Sequence, residues 1–360
     1  MATKVVTIVG ARPQFIKAAM VVRGFHKYGD QIDHHLIHTG QHYDHQMSGS
    51  FFDELQLPEP EVNLGIGGGT HGQMTGRMLM RLEEVLSAAQ PDWVVVYGDT
   101  DSTLAGALAA AKLYIPLAHV EAGLRSFNRR MPEEVNRVLT DHASQLLFCP
   151  TQTAVNNLAR EGIVQHVELV GDVMYDAAVY HRDRVSSSIL DGLRVSPGSY
   201  FLATCHRSEN TDDAERLRCI VAVLRMLGTA APVLLPIHPR TRLRLEEFKI
   251  GVPANVTVLP PCTYASMLAL EANAIAVVTD SGGVQKEAYF FGVPCITMRS
   301  ETEWTETVES GWNTLVGIDP QKALAAAKCA EGVRRLPRPA LYGDGDAATK
   351  IVSALVSRVQ

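Results

Sequence analysis

The chain is 360 residues long, 46% hydrophobic and 20% charged, a balance that excludes wholesale disorder and a length beyond what one core usually serves, so two domains are expected. The formal charge of −6 at pH 7 argues against nucleic acid or an anionic membrane as the main partner, while leaving room for a local basic pocket that holds an anionic small molecule. No run approaches the roughly 20 apolar residues of a membrane helix, no signal peptide is recognisable at the N-terminus, and the six scattered cysteines form no C-x-x-C pair, which together predict a cytoplasmic protein with reduced thiols.

Short β-branched runs alternate with amphipathic stretches of helix length. In chain order, strands are expected over 5–9, 34–39, 93–97, 116–120, 146–149 and 167–170, with helices over 14–26, 73–89, 104–113, 133–142 and 151–161. The pattern resumes with strands over 200–204, 233–236, 256–259, 274–279 and 295–298. Such alternation predicts parallel sheets covered by helices on both faces. Turn chemistry at Ser186-Ser187-Ser188 and Pro197-Gly198-Ser199 marks a linker region. The expected fold class is therefore α/β, with two Rossmann-like domains facing a central cleft: residues 1–172, joined by a returning C-terminal helix in 345–360, and residues 173–344. Neither half opens with a G-x-G-x-x-G turn, which argues against a dinucleotide cofactor. His26, His34, His35, His38, His42 and His45 are crowded, but their spacings match no standard cluster, so they are read as strand and loop residues and no metal is expected.

In open α/β sheets ligands bind beyond the carboxyl ends of the strands. After the first strand, Gly10 to Lys17 sets Arg12 and Lys17 near a helix start. Cations there oppose the helix dipole, so either an anion lies between them or both are solvated surface charges. After the third strand come Asp99, Thr100, Asp101, Ser102 and Thr103; N-capping explains one of these residues but not all five. Glu121 ends the next strand, and Pro132-Glu133-Glu134 with Arg137 opens a helix, where first-turn acids are ordinary. Three acids at neighbouring sheet ends nonetheless make a set suited to acid/base chemistry. In the second half, His206 with Arg207 and His238 with Arg240 follow successive strands and suggest an oxyanion site. Asp280-Ser281-Gly282-Gly283 joins a strand end to a helix start, where free N–H groups can cradle a diphosphate and Glu287, a turn later, can accept from a ribose diol.

Taken together, GARPQFIK (10–17), GDTDST (98–103), HVEAGLRS (119–126), PEEVNR (132–137), HRSEN (206–210), IHPR (237–240) and DSGGVQKEA (280–288) resemble the non-hydrolysing UDP-N-acetylglucosamine 2-epimerase family along nearly the whole chain. The resemblance implies two Rossmann-like domains of the glycosyltransferase-B type. It also implies inversion at C2 of a UDP-sugar by departure and return of UDP through a 2-acetamidoglucal. By position, Asp99, Glu121 and Glu133 then correspond to the catalytic acids and His206 to the catalytic histidine of the active site, beside the diphosphate. Arg12, Lys17, Arg137, His238, Ser281, Gly282, Gly283 and Glu287 correspond to UDP-contacting positions. No nicotinamide or metal is implied. A homodimer and a role in cell-surface polysaccharide synthesis are.

Two segments depart from many bacterial members. Where those read QHRxM and HRRE, and use both to hold an activating second substrate molecule, this chain reads Gln41 to Met47 as QHYDHQM and 206–209 as HRSE. The GARPQ start also resembles relatives acting on UDP-2,3-diacetamido-2,3-dideoxyglucuronic acid for lipopolysaccharide O-antigen. A uronate would need a cation near C6, for which Arg125, Arg129 and Arg130 are candidates. A glycosyltransferase and a non-catalytic nucleotide-sugar binder are the more distant readings.

Overall fold

The computed structural model describes residues 2–41, 52–182 and 188–358. The chain divides into two compact units, Met1–Ala177 with Ala340–Gln360, and Ala178–Pro339. The expected alternation of strands and helices is borne out in both. Among the described residues no helix is long and apolar enough to cross a membrane.

The first unit is built on β1 (Thr3–Val9), β2 (Ile32–His38), β3 (Val62–Asn63), β4 (Trp93–Tyr97), β5 (Leu117–Val120), β6 (Leu146–Cys149) and β7 (Val167–Leu169). They lie in the order β3-β2-β1-β4-β5-β6-β7, and every strand pairing among them is parallel. Helices cover both faces, so β4, β5 and β6 are buried along their whole length and read as continuous apolar runs. The helix His71–Ala89 shows how the layers are glued: Met74, Met78, Leu82 and Leu86 recur every fourth residue and are its buried positions. Burying each such side chain contributes roughly 1.5–3 kcal/mol. Thr70 caps this helix by accepting from the Gln73 N–H, and Gln73 Oε1 accepts from the Thr70 N–H in return, a reciprocal cap that fixes its start. The last helix, Ala347–Ser357, begins with Ala347 and Ala348 donating N–H bonds to Asp176 at 3.2 and 2.7 Å. It lies so close to the helix Arg12–His26 that a Cβ on Gly24 would come within 2.9 Å of Val352.

The second unit repeats the plan with β8 (Phe201–Thr204), β9 (Val233–Pro236), β10 (Val256–Leu259), β11 (Ala276–Thr279), β12 (Cys295–Thr297) and β13 (Asn313–Leu315). Their order is β10-β9-β8-β11-β12-β13. β3 and β13 are additions to the expected strands; two and three residues are too short to carry a periodic signal. In each sheet the order reverses beside the first strand, at β1/β4 and at β8/β11. Those are the switch points where loops diverge and leave room for a ligand.

The crowded histidines are structural in three of the described cases. His34 tilts against Phe25, and burial pushes its imidazole down to about 4. His35 pairs with Glu61 at 2.8 Å and Asp33 at 3.1 Å. His38 stacks on Phe15. Among the described residues no group of three or more His, Cys, Asp or Glu side chains is arranged to hold a metal ion. His42 and His45 lie outside the described residues.

Arg125 is not a free cation that could receive a sugar carboxylate, contrary to the expectation from its position in the sequence. Its side chain is 1% exposed and pairs with Asp141 at 2.6 Å and Glu161 at 2.7 Å. Burial raises the Asp141 carboxyl, but the hydrogen bond from His119 and the Arg125 charge outweigh it, leaving it below the ordinary range. Arg125 also holds Glu161 low. Arg125→Ala should therefore lower folding stability by about 3–5 kcal/mol, because it strands a buried carboxylate; urea unfolding measures this, and a loss under about 1 kcal/mol would contradict the buried-network reading. Since both carboxyls are depressed in the folded state, their contribution is present above the unfolded carboxyl range near pH 4 and is lost as the pH falls below it. The wild-type stability should accordingly drop on acidification more steeply than that of the variant.

Candidate active site

At the first switch point the loops after β1, β4 and β5 are stitched together by buried side chains. Gln14, in the first turn of the helix Arg12–His26, accepts from the Gly10 and Ala11 N–H groups at 2.8 and 3.0 Å. It donates to the Tyr97 carbonyl and to Thr103 Oγ1, both at 2.9 Å, and so ties the turn after β1 to the turn after β4. Beside it, Gln41 Oε1 accepts from the Ser102 hydroxyl at 2.6 Å; residues 42–47 of that segment lie outside the described residues.

Two carboxylates are each held against a cation on this frame. Lys17 Nζ donates to Glu121, and the two side chains are only 8% and 6% exposed. Lys17 thus finds its anion within the chain. Glu121 has φ +74, costly for a residue with a Cβ; its N–H and that of Ala122 both donate to the Phe148 carbonyl, at 3.1 and 3.0 Å, which holds the strained turn. Gly98 stands against the pair: with φ +62, its missing Cβ would lie 3.1 Å from Lys17 Nζ and 3.3 Å from Glu121 Oε2. The second pair is Arg137 Nη2 to Asp99 Oδ2 at 2.5 Å, with Asp99 partly exposed and Arg137 buried. Arg137 also reaches Glu134 at 3.1 Å, and Asn136 donates to the Asp99 carbonyl at 3.0 Å and to Asp101 at 3.2 Å.

The two acids that open the helix Pro132–Ala143 have different fates. Glu134 is buried and accepts from the Ser126 and Phe127 N–H groups at 2.8 and 2.9 Å, so it anchors the loop after β5. Glu133 is left exposed. Arg12 is half-buried, and Arg129 and Arg130 are exposed.

In the second unit the buried Asp280 side chain organises the turn after β8. It accepts from the His206 N–H at 3.1 Å, the Arg207 N–H at 3.1 Å and Asn210 Nδ2 at 3.0 Å. That frame brings the His206 ring to 5.9 Å from the His238 ring, centroid to centroid. His238 also caps the helix Pro239–Glu247 by accepting from the Arg240 N–H at 3.2 Å. Thr204 and Thr279, the last residues of the paired β8 and β11, share a hydrogen bond at 2.6 Å. Asp280 is therefore the support of this site, a role its place in the motif did not reveal.

The helix Gly282–Phe290 begins after Ser281, and no side chain caps it. Its two glycines serve different purposes. A Cβ on Gly282 would lie 2.3 Å from Glu303 Oε1, whereas one on Gly283 would meet nothing closer than Ser281 Oγ at 4.0 Å. Gly282 makes room for Glu303, which pairs with Arg299 at 3.0 Å; Gly283 leaves the backbone approachable. Glu287, a turn later, is buried, and Lys286 lies 4.0 Å over the Trp304 ring, a cation–π contact.

The UDP-N-acetylglucosamine 2-epimerase family model matches residues 26–356. A UDP-N-acetylglucosamine 2-epimerase homolog from Methanococcus maripaludis is 50% identical over 364 residues, covering 98% of this chain and 99% of that protein. The UDP-2,3-diacetamido-2,3-dideoxy-D-glucuronate 2-epimerase of Pseudomonas aeruginosa is also 50% identical, over 356 residues and the same shares. The crystal structure of Methanocaldococcus jannaschii UDP-GlcNAc 2-epimerase in complex with UDP-GlcNAc and UDP matches with a TM-score of 0.89 at 44% identity, covering 99% of this chain and 100% of that one. With seven motifs in order and matches of this extent, the chain belongs to the UDP-N-acetylglucosamine 2-epimerase family and is a nucleotide-sugar 2-epimerase.

Proposed function

We propose that the substrate is a UDP-N-acetylhexosamine, interconverted between the gluco and manno configurations without net loss of UDP. The observation that carries the reading is the pair of carboxylates at neighbouring strand ends, Asp99 against Arg137 and Glu121 against Lys17. A hexose C2 proton is too weakly acidic for direct removal. Breaking the C1–O bond first, with its electron pair leaving on the UDP β-phosphate oxygen, creates an oxocarbenium-like centre that acidifies it. A carboxylate takes the C2 proton and leaves a 2-acetamidoglucal. Protonation of C2 on the opposite face and return of the UDP oxygen to C1 complete the inversion. No oxidation state changes overall, so the balance needs no redox partner. Asp99, Glu121 and Glu133 are the acid/base candidates for the two ring faces.

His206, His238, Ser281, Gly282, Gly283 and Glu287 of the second unit are assigned to UDP; Arg12, Lys17 and Arg137 carry that assignment from the family resemblance alone, Lys17 and Arg137 being already paired with Glu121 and Asp99. The Ser281 N–H donates to Thr279 Oγ1 at 2.9 Å, so it is the N–H groups of Gly282 and Gly283, at a helix start that no side chain caps, that suit phosphate oxygens, and holding the departed diphosphate is part of the chemistry. The family resemblance supports a homodimer in the cytoplasm that feeds cell-surface polysaccharide assembly. A second reading is the same chemistry on UDP-2,3-diacetamido-2,3-dideoxyglucuronic acid, favoured by the 50% identical relative of that name; with Arg125 occupied, the exposed Arg129 and Arg130 are the remaining candidates for its C6 carboxylate.

The test is to incubate the protein with each UDP-sugar in deuterated water and follow C2 by NMR. Deuterium at C2 with UDP still attached is expected for the true substrate. Free sugar plus UDP would indicate a hydrolysing enzyme, and no exchange with either sugar would sink the reading. Asp99→Asn should slow the exchange by about 100-fold or more while UDP affinity changes by less than about threefold; a loss confined to UDP binding would mean that Asp99 binds UDP and does not transfer protons. Asp280→Ala should weaken UDP binding about tenfold, since it leaves buried donors of the His206 turn without an acceptor. Titration calorimetry reads this, and an unchanged affinity would detach His206 from the diphosphate.

A further inference from the structure

We infer that His119 is held as a buried imidazolium that positions Asp99, donating from both ring nitrogens, one to Asp141 and one to the Gly98 carbonyl. His119 is completely buried. Its Nδ1 lies 2.7 Å from Asp141 Oδ1, and its Nε2 lies 2.7 Å from the Gly98 oxygen. A carbonyl oxygen has no proton to give, so Nε2 is the donor there. On the other side, Asp141 accepts from the Arg125 guanidinium at 2.6 Å and from the Gly123 N–H at 3.1 Å. Those donors favour the carboxylate, and a carboxylate can only accept, so Nδ1 also carries a proton. Flipping the ring would set carbon atoms 2.7 Å from both oxygens, well inside van der Waals contact, so the orientation is fixed by packing.

The surroundings balance this charge. Among the buried groups Arg125 and His119 are cations and Asp141 an anion; the second anion, Glu161, lies at the exposed edge, where Arg125 grips it through two parallel bonds at 2.7 and 2.8 Å and His142 meets it at 3.1 Å. Lys17 and Glu121 also stand against Gly98 and pair with each other. Buried charges paired in this way are tolerated where an isolated ion is not.

The consequence for the reaction follows from where Gly98 sits. Its N–H donates to the Val120 carbonyl at 3.0 Å and its carbonyl accepts from His119, so the peptide groups on either side of Gly98, between β4 and Asp99, are each pinned. Arg137 then pins the Asp99 side chain. Acid/base work requires that carboxylate within a few tenths of an ångström of its proton, and a displacement of about 1 Å can cost on the order of 100-fold in rate. His119 acts through Gly98 and Asp99 and is a positioning residue. The functional half of this inference rests on the acid/base role proposed for Asp99; the protonation half does not.

Two measurements test it. Histidine ring 15N NMR of the wild-type protein, with the His119 signals assigned by their loss in His119→Gln, should show protons on both nitrogens at neutral pH. The signature of a neutral tautomer, with one bare nitrogen, would overturn the inference whatever the substrate proves to be. In the folded His119→Gln variant, kcat for C2 exchange on UDP-N-acetylglucosamine should fall at least about tenfold, with UDP affinity and KM within about threefold. Full kcat in that folded variant would show that the Gly98 anchor has no part in placing Asp99. If the wild-type protein exchanges no C2 proton on either UDP-sugar, the functional reading fails while the 15N result still decides the protonation state.

Discussion

A single fully buried carboxylate, Asp141, is the support on which the first unit's site is built. It collects His119, Arg125 and the Gly123 N–H, and through them it fixes the turns that follow β4 and β5. His119 carries the constraint to Gly98 and hence to Asp99; Gly123 carries it to the turn that begins at Glu121. Burying this carboxylate costs several kcal/mol of solvation, which the surrounding donors offset only as a complete set. The arrangement therefore tolerates no half-measures, and it makes rigid the two strand ends where the acids stand.

The second unit solves the same problem in the same way. Asp280 is completely buried and accepts from the backbone of His206 and Arg207, so that the turn after β8 is held by the end of β11. The second sheet reverses its strand order at that point, whereas the first reverses at β1/β4, where Gln14 ties the turns together, and its buried Asp141 sets the turns after β4 and β5. The exposed ends are then free for chemistry. In the first unit Asp99 and Glu121 are paired with cations; in the second, a helix start that no side chain caps offers N–H groups. Both arrangements suit a reaction in which a diphosphate must leave with a negative charge and return.

Much of this was legible in the sequence because it is local. Continuous apolar runs such as Trp93–Tyr97 identify buried parallel strands, and the residues after them identify the strand ends. Asp99, Glu121, His206 and the Ser281–Gly283 turn all stand just beyond such strand ends. What escaped is what depends on partners distant in the chain. Gln14 looks like an ordinary helix residue until Tyr97 and Thr103 come beside it. Arg125 reads as a surface cation until Asp141 and Glu161 close on it. Glu133 and Glu134 are chemically identical neighbours, and only the path of the 126–127 loop makes the second one structural. The glycine pair behaves likewise: the need for Gly282 is set by Glu303, twenty-one residues further on.

The central claim is that UDP leaves C1 and returns while the acids move the C2 proton. It is tested most directly by starting from the middle of the reaction. Supplied with UDP and the 2-acetamidoglucal corresponding to its substrate, in deuterated water, the protein should form the UDP-sugar with one deuterium at C2. If it epimerises the UDP-sugar yet never forms it from these two compounds, C2 is inverted by a route that keeps the C1–O bond, and elimination and return of UDP is not the mechanism.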